Sequence, residues 1–368
     1  MLLRQAISDL ARPAVLAFGN PLLDIHVRLR DDTLLRKYGL KTDDEKELPR
    51  DIIEKLIADL PTELETSISS GGAAQNTLRV LQWLCDETHF SRFCIYCGGI
   101  GNDSNGTKLN ELITASGIIT RYAVQPIHST GICVALEFEK CRSLVANLGA
   151  AAIYTLNDLN KSDLSLDSVK IVYLEGFFVV HSLDVAREIV KRAQEKKIIV
   201  AFNLNGVYIF KDHHAAICEM VGMAKIVFGN AREMTALAQA LNLKFDDVYD
   251  IPIQLNNLKR ITVDASNIAS KDWLSDDSSF VMTHGGSAPS MIVWGKGENH
   301  KANPIVSSDP ILNTTGAGDS FVAGFLAGIL AQKSPQTCLL WGMRVASYII
   351  TKSGMKLPNN AAPYNLLE

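Results

Sequence analysis

The chain has 368 residues, of which 47% are hydrophobic and 21% are charged. This balance is typical of a folded globular protein and excludes wholesale disorder and a collagen-like fibre. Lys and Arg number 36 against 40 Asp and Glu, which gives a formal net charge of -4. Because no long basic run is present to follow a phosphate backbone, we do not expect a nucleic-acid partner. The apolar stretch at 321–331 is shorter than the roughly 20 residues that span a bilayer, so no membrane partner is expected either.

The ends of the chain and its cysteines bear on the compartment. Residues 1–13 mix charged and apolar side chains without the continuous apolar centre of a secretory signal, so we expect a short disordered leader there and a tail at 359–368. Seven cysteines are scattered without a disulfide or zinc pattern, which predicts reduced thiols in the cytoplasm; access to the nucleus stays open. Cys94 and Cys97 form a CxxC, but their apolar neighbours favour a core strand over redox or metal chemistry.

The first predicted elements surround one acidic residue. A short apolar run at 14–19 predicts a buried strand that delivers Asp24 to the edge of a sheet. Residues 29–70 are charge-rich and contain one stretch with a helical period, so we predict a peripheral element there. The pair Gly71-Gly72 then opens a helix, and two glycines at this point let a ligand approach the backbone closely.

Strands and helices alternate along the rest of the chain. Strands are predicted near 94–98, 170–173, 198–203, 225–229, 280–283 and 291–294, and helices near 106–116, 184–196, 231–241, 321–330 and 339–352. Alternation implies parallel strands joined by right-handed crossovers. The fold class is therefore a doubly wound α/β domain, with ligands expected at the carboxyl ends of the strands.

The loop Gly316-Ala317-Gly318-Asp319 directly precedes an apolar helix. Its two glycines let consecutive N–H groups converge, and the helix adds the positive end of its dipole, so the loop is suited to an anion. Asp319 is either a favourable acid in the first turn or a base that takes a proton from a substrate hydroxyl. A Walker A phosphate loop does not compete, because the glycines at 101–106 are followed by Thr107-Lys108, the reverse of the required order.

Four motifs in this order resemble the ribokinase, or pfkB, family of sugar and nucleoside kinases. They are Gly19 to Asp24, Gly71-Gly72 with Asn76, Arg142 to Leu148, and Gly316 to Asp319. Within the family, the first and third motifs and the pairs Gln75-Asn76 and Gln82-Trp83 are similar to the kinases that act on adenosine. The resemblance covers 14–358. It implies a ribokinase-like, mostly parallel sheet with a small β-rich lid at about 25–70 and 125–147.

The resemblance implies phosphoryl transfer from MgATP to the 5′-hydroxyl of adenosine, giving AMP and ADP. Asp319 would be the base, and the amides of Gly316, Ala317 and Gly318 would form the anion hole. Arg142 would steady the γ-phosphate, a role that suits a permanently charged fork, although a surface arginine is the plainer alternative. The partners implied are adenosine and ATP, and the protein is expected to be a monomer.

For the nucleoside, the resemblance implies one acidic contact and a largely apolar pocket. Asp24 would bind the ribose hydroxyls, because an ionised carboxylate accepts two charge-assisted hydrogen bonds. A purine presents two flat faces and suits apolar and aromatic side chains, each of which taken alone is more often core. The substrate-binding candidates are Asn20, Leu22, Asp24, Gly71, Gly72, Asn76, Cys133, Leu144, Ala146, Phe178 and Phe210.

For the nucleotide, the resemblance implies contacts from Asn230, Thr283, Gly285, Thr315 and Gly318. Asn230 and Glu233 match the family's Asn-x-x-Glu pattern, which organises Mg²⁺ through water. Magnesium prefers oxygen ligands and keeps several waters, so an indirect carboxylate is reasonable chemistry. The same two residues are also expected as a helix N-cap and its capping-box partner, and both interpretations can hold together.

Two departures from the family stand beside the glycine loop. The family usually has Asp where Asn313 stands, and the adenosine kinases usually have Asn where Thr315 stands. Residues 41–49 also differ from the usual lid, so no site residue is taken from them. Two alternatives stay open at this stage: a sibling kinase for a sugar or another nucleoside, and a noncatalytic nucleoside-binding protein on the same fold.

Overall fold

The computed structural model describes residues 10–42, 45–85, 92–138, 141–262, 278–305 and 309–352, together with 355, 357, 358, 362, 363, 366 and 367. Residues 1–9 of the expected leader and much of the expected tail therefore lie outside the described residues. Leu10 falls within the expected disordered leader at 1–13 but packs against the core, so the expectation of disorder is wrong at this residue. Of the helices in the described part of the chain, none is long and apolar enough to cross a membrane.

Fourteen strands are found among the described residues. They are β1 (Val15–Phe18), β2 (Leu22–Arg28), β3 (Glu45–Glu47), β4 (Thr66–Gly71), β5 (Cys94–Gly101), β6 (Ile119–Gln125), β7 (Gly131–Phe138), β8 (Cys141–Asn147), β9 (Ile171–Glu175), β10 (Ile199–Asn203), β11 (Ile226–Asn230), β12 (Ser279–Thr283), β13 (Ser290–Trp294) and β14 (Glu298–Ala302). Nine of them form a large sheet in the order β14-β13-β12-β11-β10-β9-β1-β5-β6. All neighbours from β12 to β6 are parallel, and β13 and β14 are antiparallel additions at one edge.

The α-helices of the described residues surround this large sheet and the smaller one. They are α1 (Thr33–Lys37), α2 (Arg50–Ala58), α3 (Ala73–Cys85), α4 (Ser104–Ala115), α5 (Leu156–Lys161), α6 (Gly176–Val179), α7 (Leu183–Glu195), α8 (Phe210–Met223), α9 (Ala231–Ala240), α10 (Asp250–Thr262), α11 (Ala317–Leu330) and α12 (Pro335–Ile349). Short 3₁₀ turns lie at Gly149–Ala152 and Val207–Ile209.

Both faces of the large sheet are covered by helices. Successive residues of a strand point to opposite faces, and Val15 belongs to the core cluster that contains α3, α11 and α12, whereas Leu16 belongs to the cluster that contains α7, α8 and α9. Continuous burial of this kind is what a parallel strand with two covered faces requires. The predicted doubly wound α/β fold is confirmed.

The CxxC pair illustrates this arrangement. Cys94 and Cys97 lie in β5 and are both fully buried, but they belong to the two different core clusters and so face opposite sides of the sheet. Burial raises the pKa of the Cys97 thiol to about 12. The prediction of a core strand is therefore confirmed for these two cysteines.

A five-stranded sheet, hereafter the small sheet, has the order β3-β8-β7-β2-β4. One of its faces packs with α1 and α2 around a separate core that includes Val27, Val134 and Val145. The confirmed fold class includes this small β-rich unit. Its strands come from 22–71 and 131–147, close to the segments that the resemblance implied.

Candidate active site

The site lies where the strand order of the large sheet reverses. The chain runs outward from β1 to β5 and β6, and later from β9 to β12 on the other side. In open α/β sheets, the loops that follow the two strands at such a reversal run in opposite directions. They leave a crevice between them at the carboxyl ends of the strands. Here those ends are Gly19-Asn20 after β1 and Glu175 at the end of β9.

Glu175 joins the two sides of this crevice. Its side chain is fully buried, and it accepts hydrogen bonds from the N–H of Asn20 (2.9 Å) and the N–H of Ala74 (2.7 Å). Burial raises the pKa of Glu175 to about 8, although both N–H groups oppose that shift. The carboxyl group thus positions the β1–β2 loop against the start of α3. Sequence reasoning missed this residue; the available signal was an acidic residue that ends a buried strand directly before a glycine.

The glycine pair before α3 permits two close approaches. A Cβ atom on Gly71 would lie 1.9 Å from Oδ1 of Asp24, and one on Gly72 would lie 2.3 Å from the carbonyl oxygen of Asn20. Gly72 also has a φ of +92°, which residues other than glycine rarely adopt. Both approaches are made by protein groups of the candidate site, so a close approach of a ligand to this glycine pair stays a prediction.

The register of the small sheet places most of the nucleoside candidates on one face. Asp24 in β2 pairs with Cys133 in β7, and Cys133 pairs with Ala146 in β8. Because alternate residues of a strand share a face, Leu22 and Leu144 lie on the same side. This is the face opposite the one that packs with α1 and α2.

Asp24 sits among charged groups. Burial raises its pKa to about 7, while Arg142 and Arg79 lower it and Asp319 raises it further. Arg79, in α3, donates to the carbonyl oxygens of Ser70 (3.2 Å) and Met355 (3.1 Å). Asp24 therefore lies within electrostatic reach of both Arg142 and Asp319.

Asp319 lies in the first turn of α11 and is contacted from α3. Asn76 donates from Nδ2 to Oδ2 of Asp319 at 3.1 Å. Burial raises the pKa of Asp319 to about 6, and the Asn76 hydrogen bond and the Arg142 charge both oppose this rise. A carboxyl group with a pKa just below neutrality is suited to accept a proton.

The glycine loop ends in a left-handed residue. Gly316 has a φ of +72° and caps α11, and a Cβ atom there would lie within bonding distance of the Met355 sulfur. The N–H of Ala317 donates to the carbonyl oxygen of Thr314 at 3.2 Å, so it is already engaged. Gly318 is exposed, a Cβ atom there would meet nothing within 4 Å, and its N–H lies in the first turn, which leaves donors unpaired within the helix.

Arg142 and Asn313 connect the small sheet to this loop. Arg142 donates from Nη1 to Oγ1 of Thr315, and Asn313 donates from Nδ2 to Oε1 of Glu137 at 2.9 Å. Asn313 also accepts the N–H of Thr315 at 2.7 Å. Thr315, expected to contact nucleotide, is thus held by both residues.

The aromatic candidates need a correction. Phe178 is fully buried and packs on Phe18 and Tyr154, with ring centroids 5.6 and 6.0 Å away, so no ring face is free for a base. Phe210 is 8% exposed and belongs to the same core cluster. Phe177 is the partly exposed ring of this segment. The carbonyl oxygen of Phe177 accepts the Asn20 side-chain amide at 2.9 Å, and its ring stacks on Tyr208 with ring centroids 5.8 Å apart. Because Phe177 is the more exposed of the two neighbours and lies beside Asn20, we take it as the aromatic candidate in place of Phe178.

The nucleotide candidates lie at neighbouring strand ends. Asn230 ends β11 and pairs in register with Thr283, which ends β12, and Gly285 follows in an open loop. Asn230 caps α9 in a capping box: its Oδ1 accepts the N–H of Glu233 at 3.0 Å, and Glu233 accepts the N–H of Asn230 at 2.8 Å. The expected capping role is present.

Magnesium would be held indirectly by these residues. Among the described residues, no group of three or more His, Cys, Asp or Glu side chains could hold a metal ion. A carboxylate offers only acceptor oxygens, the kind of atom to which water on Mg²⁺ donates, and each Glu233 oxygen accepts one hydrogen bond from Asn230. The donor set therefore fits a hydrated ion that is held mainly by phosphate oxygens.

Comparison with known proteins identifies the family. Residues 47–362 match the model of the pfkB family carbohydrate kinases. The chain belongs to this family. A pfkB kinase is a phosphotransferase that acts on an alcohol group, and ATP is the co-substrate that membership implies.

Three relatives of this pfkB kinase are similar along nearly its whole length. Adenosine kinase 2 of Arabidopsis thaliana is 27% identical over 354 residues, which cover 94% of this chain and 95% of the relative. Adenosine kinase of Dictyostelium discoideum is 29% identical over 354 residues, covering 94% and 96%. The structure of adenosine kinase from Schistosoma mansoni with 2-fluoroadenosine is 28% identical, with a TM-score of 0.80, and the match covers 95% of this chain and 99% of that one.

Proposed function

We propose that this pfkB kinase transfers the γ-phosphoryl group of MgATP to the 5′-hydroxyl of adenosine. The observation that carries the proposal is the convergence of Asp319, Asp24 and Arg142 on one crevice from the glycine loop, β2 and β8. Relatives that are 27–29% identical over 94% of the chain are adenosine kinases, which supports adenosine as the acceptor.

Asp319 acts as the general base. Its carboxyl group has a pKa of about 6 and is oriented by the Asn76 amide, so near neutral pH it is mostly ionised and can take the proton of the 5′-hydroxyl. Asp24 lies across the crevice and binds the ribose hydroxyls through its two oxygens. This binding places the 5′-hydroxyl near the base, and fixed positioning of this kind supplies much of the rate in phosphoryl transfer.

The glycine loop and Arg142 stabilise the transferring group. The N–H of Gly318, an exposed residue, lies in the first turn of α11, where unpaired donors and the helix dipole favour an anion. Arg142 adds a permanent positive charge from the small sheet. The N–H of Ala317, which donates to Thr314, has to leave that bond if it takes part.

ATP occupies the side of the crevice formed by Asn230, Thr283 and Gly285. Magnesium, when bound, neutralises charge on the phosphate oxygens, and Glu233 orients its waters. The small sheet covers the bound nucleoside and excludes water, which would otherwise accept the phosphoryl group.

The acceptor is tested with a panel. Purified protein is incubated with ATP and Mg²⁺ and with adenosine, inosine, guanosine, ribose or fructose, and the phosphorylated product is identified by mass spectrometry and phosphorus NMR. Formation of 5′-AMP from adenosine at a kcat/KM at least tenfold above the other acceptors supports the proposal. A preference for a sugar or for another nucleoside would make the protein a sibling kinase. Adenosine binding without turnover would indicate a binding protein.

A further inference from the structure

The small sheet and the glycine loop are joined by two neighbouring hydrogen bonds. Asn313 donates to Glu137 at 2.9 Å, and Arg142 donates to Thr315. Glu137 and Arg142 are cross-strand partners in the β7–β8 register, so their side chains lie side by side on one face of the small sheet. Two adjacent side chains of the small sheet thus contact two residues that lie only two positions apart beside the glycine loop.

Asn313 uses both ends of its side-chain amide. Its nitrogen donates outward to Glu137, and its oxygen accepts the N–H of Thr315 at 2.7 Å. Only a side chain with one donor end and one acceptor end makes both bonds at once. This gives a physical reason for Asn at a position where the resemblance implied Asp, because a carboxylate there would face the Glu137 carboxylate.

The contact leads directly to the catalytic loop. Thr315 precedes Gly316, the cap of α11, and Asp319 lies in the first turn of that helix. A shift of Asn313 would therefore move the N–H groups at the start of α11. It would also change the distance between Arg142 and the loop, since Arg142 bonds Thr315.

We propose that Glu137 is a positioning residue of the kinase, acting through Asn313. It holds the glycine loop against the small sheet so that Arg142 and the start of α11 face the same transferring group. Glu137 does not touch the nucleoside, which lies further along the face near Asp24 and Cys133. The proposal rests on the kinase activity proposed above and predicts that the Glu137–Asn313 contact affects kcat for phosphoryl transfer rather than KM for adenosine.

A double-mutant cycle tests this contact. Asn313→Asp places two carboxylates at hydrogen-bonding distance, and we expect kcat to fall about tenfold or more with KM for adenosine changed less than about twofold. Adding Glu137→Gln supplies an amide donor to the new carboxylate and should restore kcat to within about threefold of wild type. Glu137→Gln alone keeps an acceptor for Asn313 and should lose less than about threefold. The control Glu65→Gln removes one exposed carboxylate from the segment before β4 and should change nothing.

The outcomes are separable. Any of three results would overturn the proposal. They are a wild-type kcat in Asn313→Asp, a change confined to KM for adenosine, and a double variant whose kcat is no higher than that of Asn313→Asp. Wild type and the three variants of the cycle are also thermally unfolded without substrate, because the contact is present without ligand. A Tm lowered by Asn313→Asp and recovered in the double variant supports the contact even if the acceptor proves to be another alcohol. If Asn313→Asp does not fold, Glu137→Ala, which only removes the acceptor, must lower kcat severalfold.

Discussion

Asn76 donates a hydrogen bond of 3.1 Å to Oδ2 of Asp319, across 243 residues of sequence. One partner lies in α3, which the glycine pair opens, and the other lies in the first turn of α11. The bond favours the ionised carboxylate and opposes the effect of burial on its pKa.

The acid limb of the rate profile should follow from this bond. Because Asp319 must be ionised to accept a proton and its pKa is raised to about 6, kcat should rise with pH between about 5 and 7. Asn76→Ala removes a hydrogen bond to the charged form, so the limb should move to higher pH by about one unit. The profile of kcat against pH measures this. A lower rate with an unmoved limb would separate Asn76 from the base.

Adenosine affinity should also depend on pH, through Asp24. Its pKa is raised to about 7 in the free protein, and the ribose hydroxyls need the ionised form as an acceptor. Binding should therefore weaken as pH falls from 8 to 6. Calorimetric titration of wild type and Asp24→Asn checks this: the variant should bind on the order of 10- to 100-fold more weakly at pH 8 and lose the pH dependence. Equal pH dependence in both proteins would place the titrating group elsewhere.

Replacing Gly71 should disturb the same carboxylate. A Cβ atom at this position would lie 1.9 Å from Oδ1 of Asp24, so Gly71→Ala must displace Asp24. We expect adenosine affinity to fall tenfold or more, as measured by calorimetry. Gly222→Ala is the matched control, since its Cβ atom would meet nothing within 4 Å in α8 and alanine favours a helix. An equal loss of affinity in both variants would exclude a specific effect at Gly71.

Glu175→Gln should destabilise the protein. The amide can accept only one of the two N–H groups that Glu175 now accepts, so either Asn20 or Ala74 loses its partner in a fully buried place. The expected cost is about 1–3 kcal/mol in the free energy of unfolding, measured by urea denaturation at about pH 4.5, where the stability that wild type gains from the Glu175 proton is still present. Glu195→Gln, at an exposed position at the end of α7, should stay within about 0.5 kcal/mol of wild type.

The same variant should change how stability depends on pH. The pKa of Glu175 is raised from 4.5 to about 8 in the folded protein, so the folded state holds a proton that the unfolded state releases. Stability from this proton is present below about pH 4.5 and is lost as pH rises towards 8. The wild-type free energy of unfolding should therefore fall more steeply over this window than that of Glu175→Gln. Parallel curves would show that Glu175 does not titrate in this range.

The sequence predicted the features that depend on local pattern. Apolar runs such as 94–98 identified strands because their residues are buried on both faces. The glycine loop before α11 could be recognised because its spacing and the following helix already suit an anion. The nucleoside-binding candidates on one face of the small sheet were implied only through the family resemblance.

Features that depend on distant partners were missed. Nothing local shows that Glu175 accepts N–H groups from Asn20 and Ala74, which lie 155 and 101 residues away. The Asn313–Glu137 contact likewise joins residues 176 positions apart. The exchange of Phe178 for Phe177 has a different cause, because which ring faces the core is set by the orientation of the four-residue helix α6. Tertiary packing, rather than residue type, determines which distant groups become partners and which ring is buried.

The proposed reaction requires Asp319 to accept the proton of the adenosine 5′-hydroxyl. The most direct test is single-turnover formation of AMP by Asp319→Asn, with adenosine affinity measured on the same protein. We expect a rate lower than wild type by a factor on the order of 10² or more, with adenosine affinity changed by less than about threefold. AMP formation at close to the wild-type rate would contradict it.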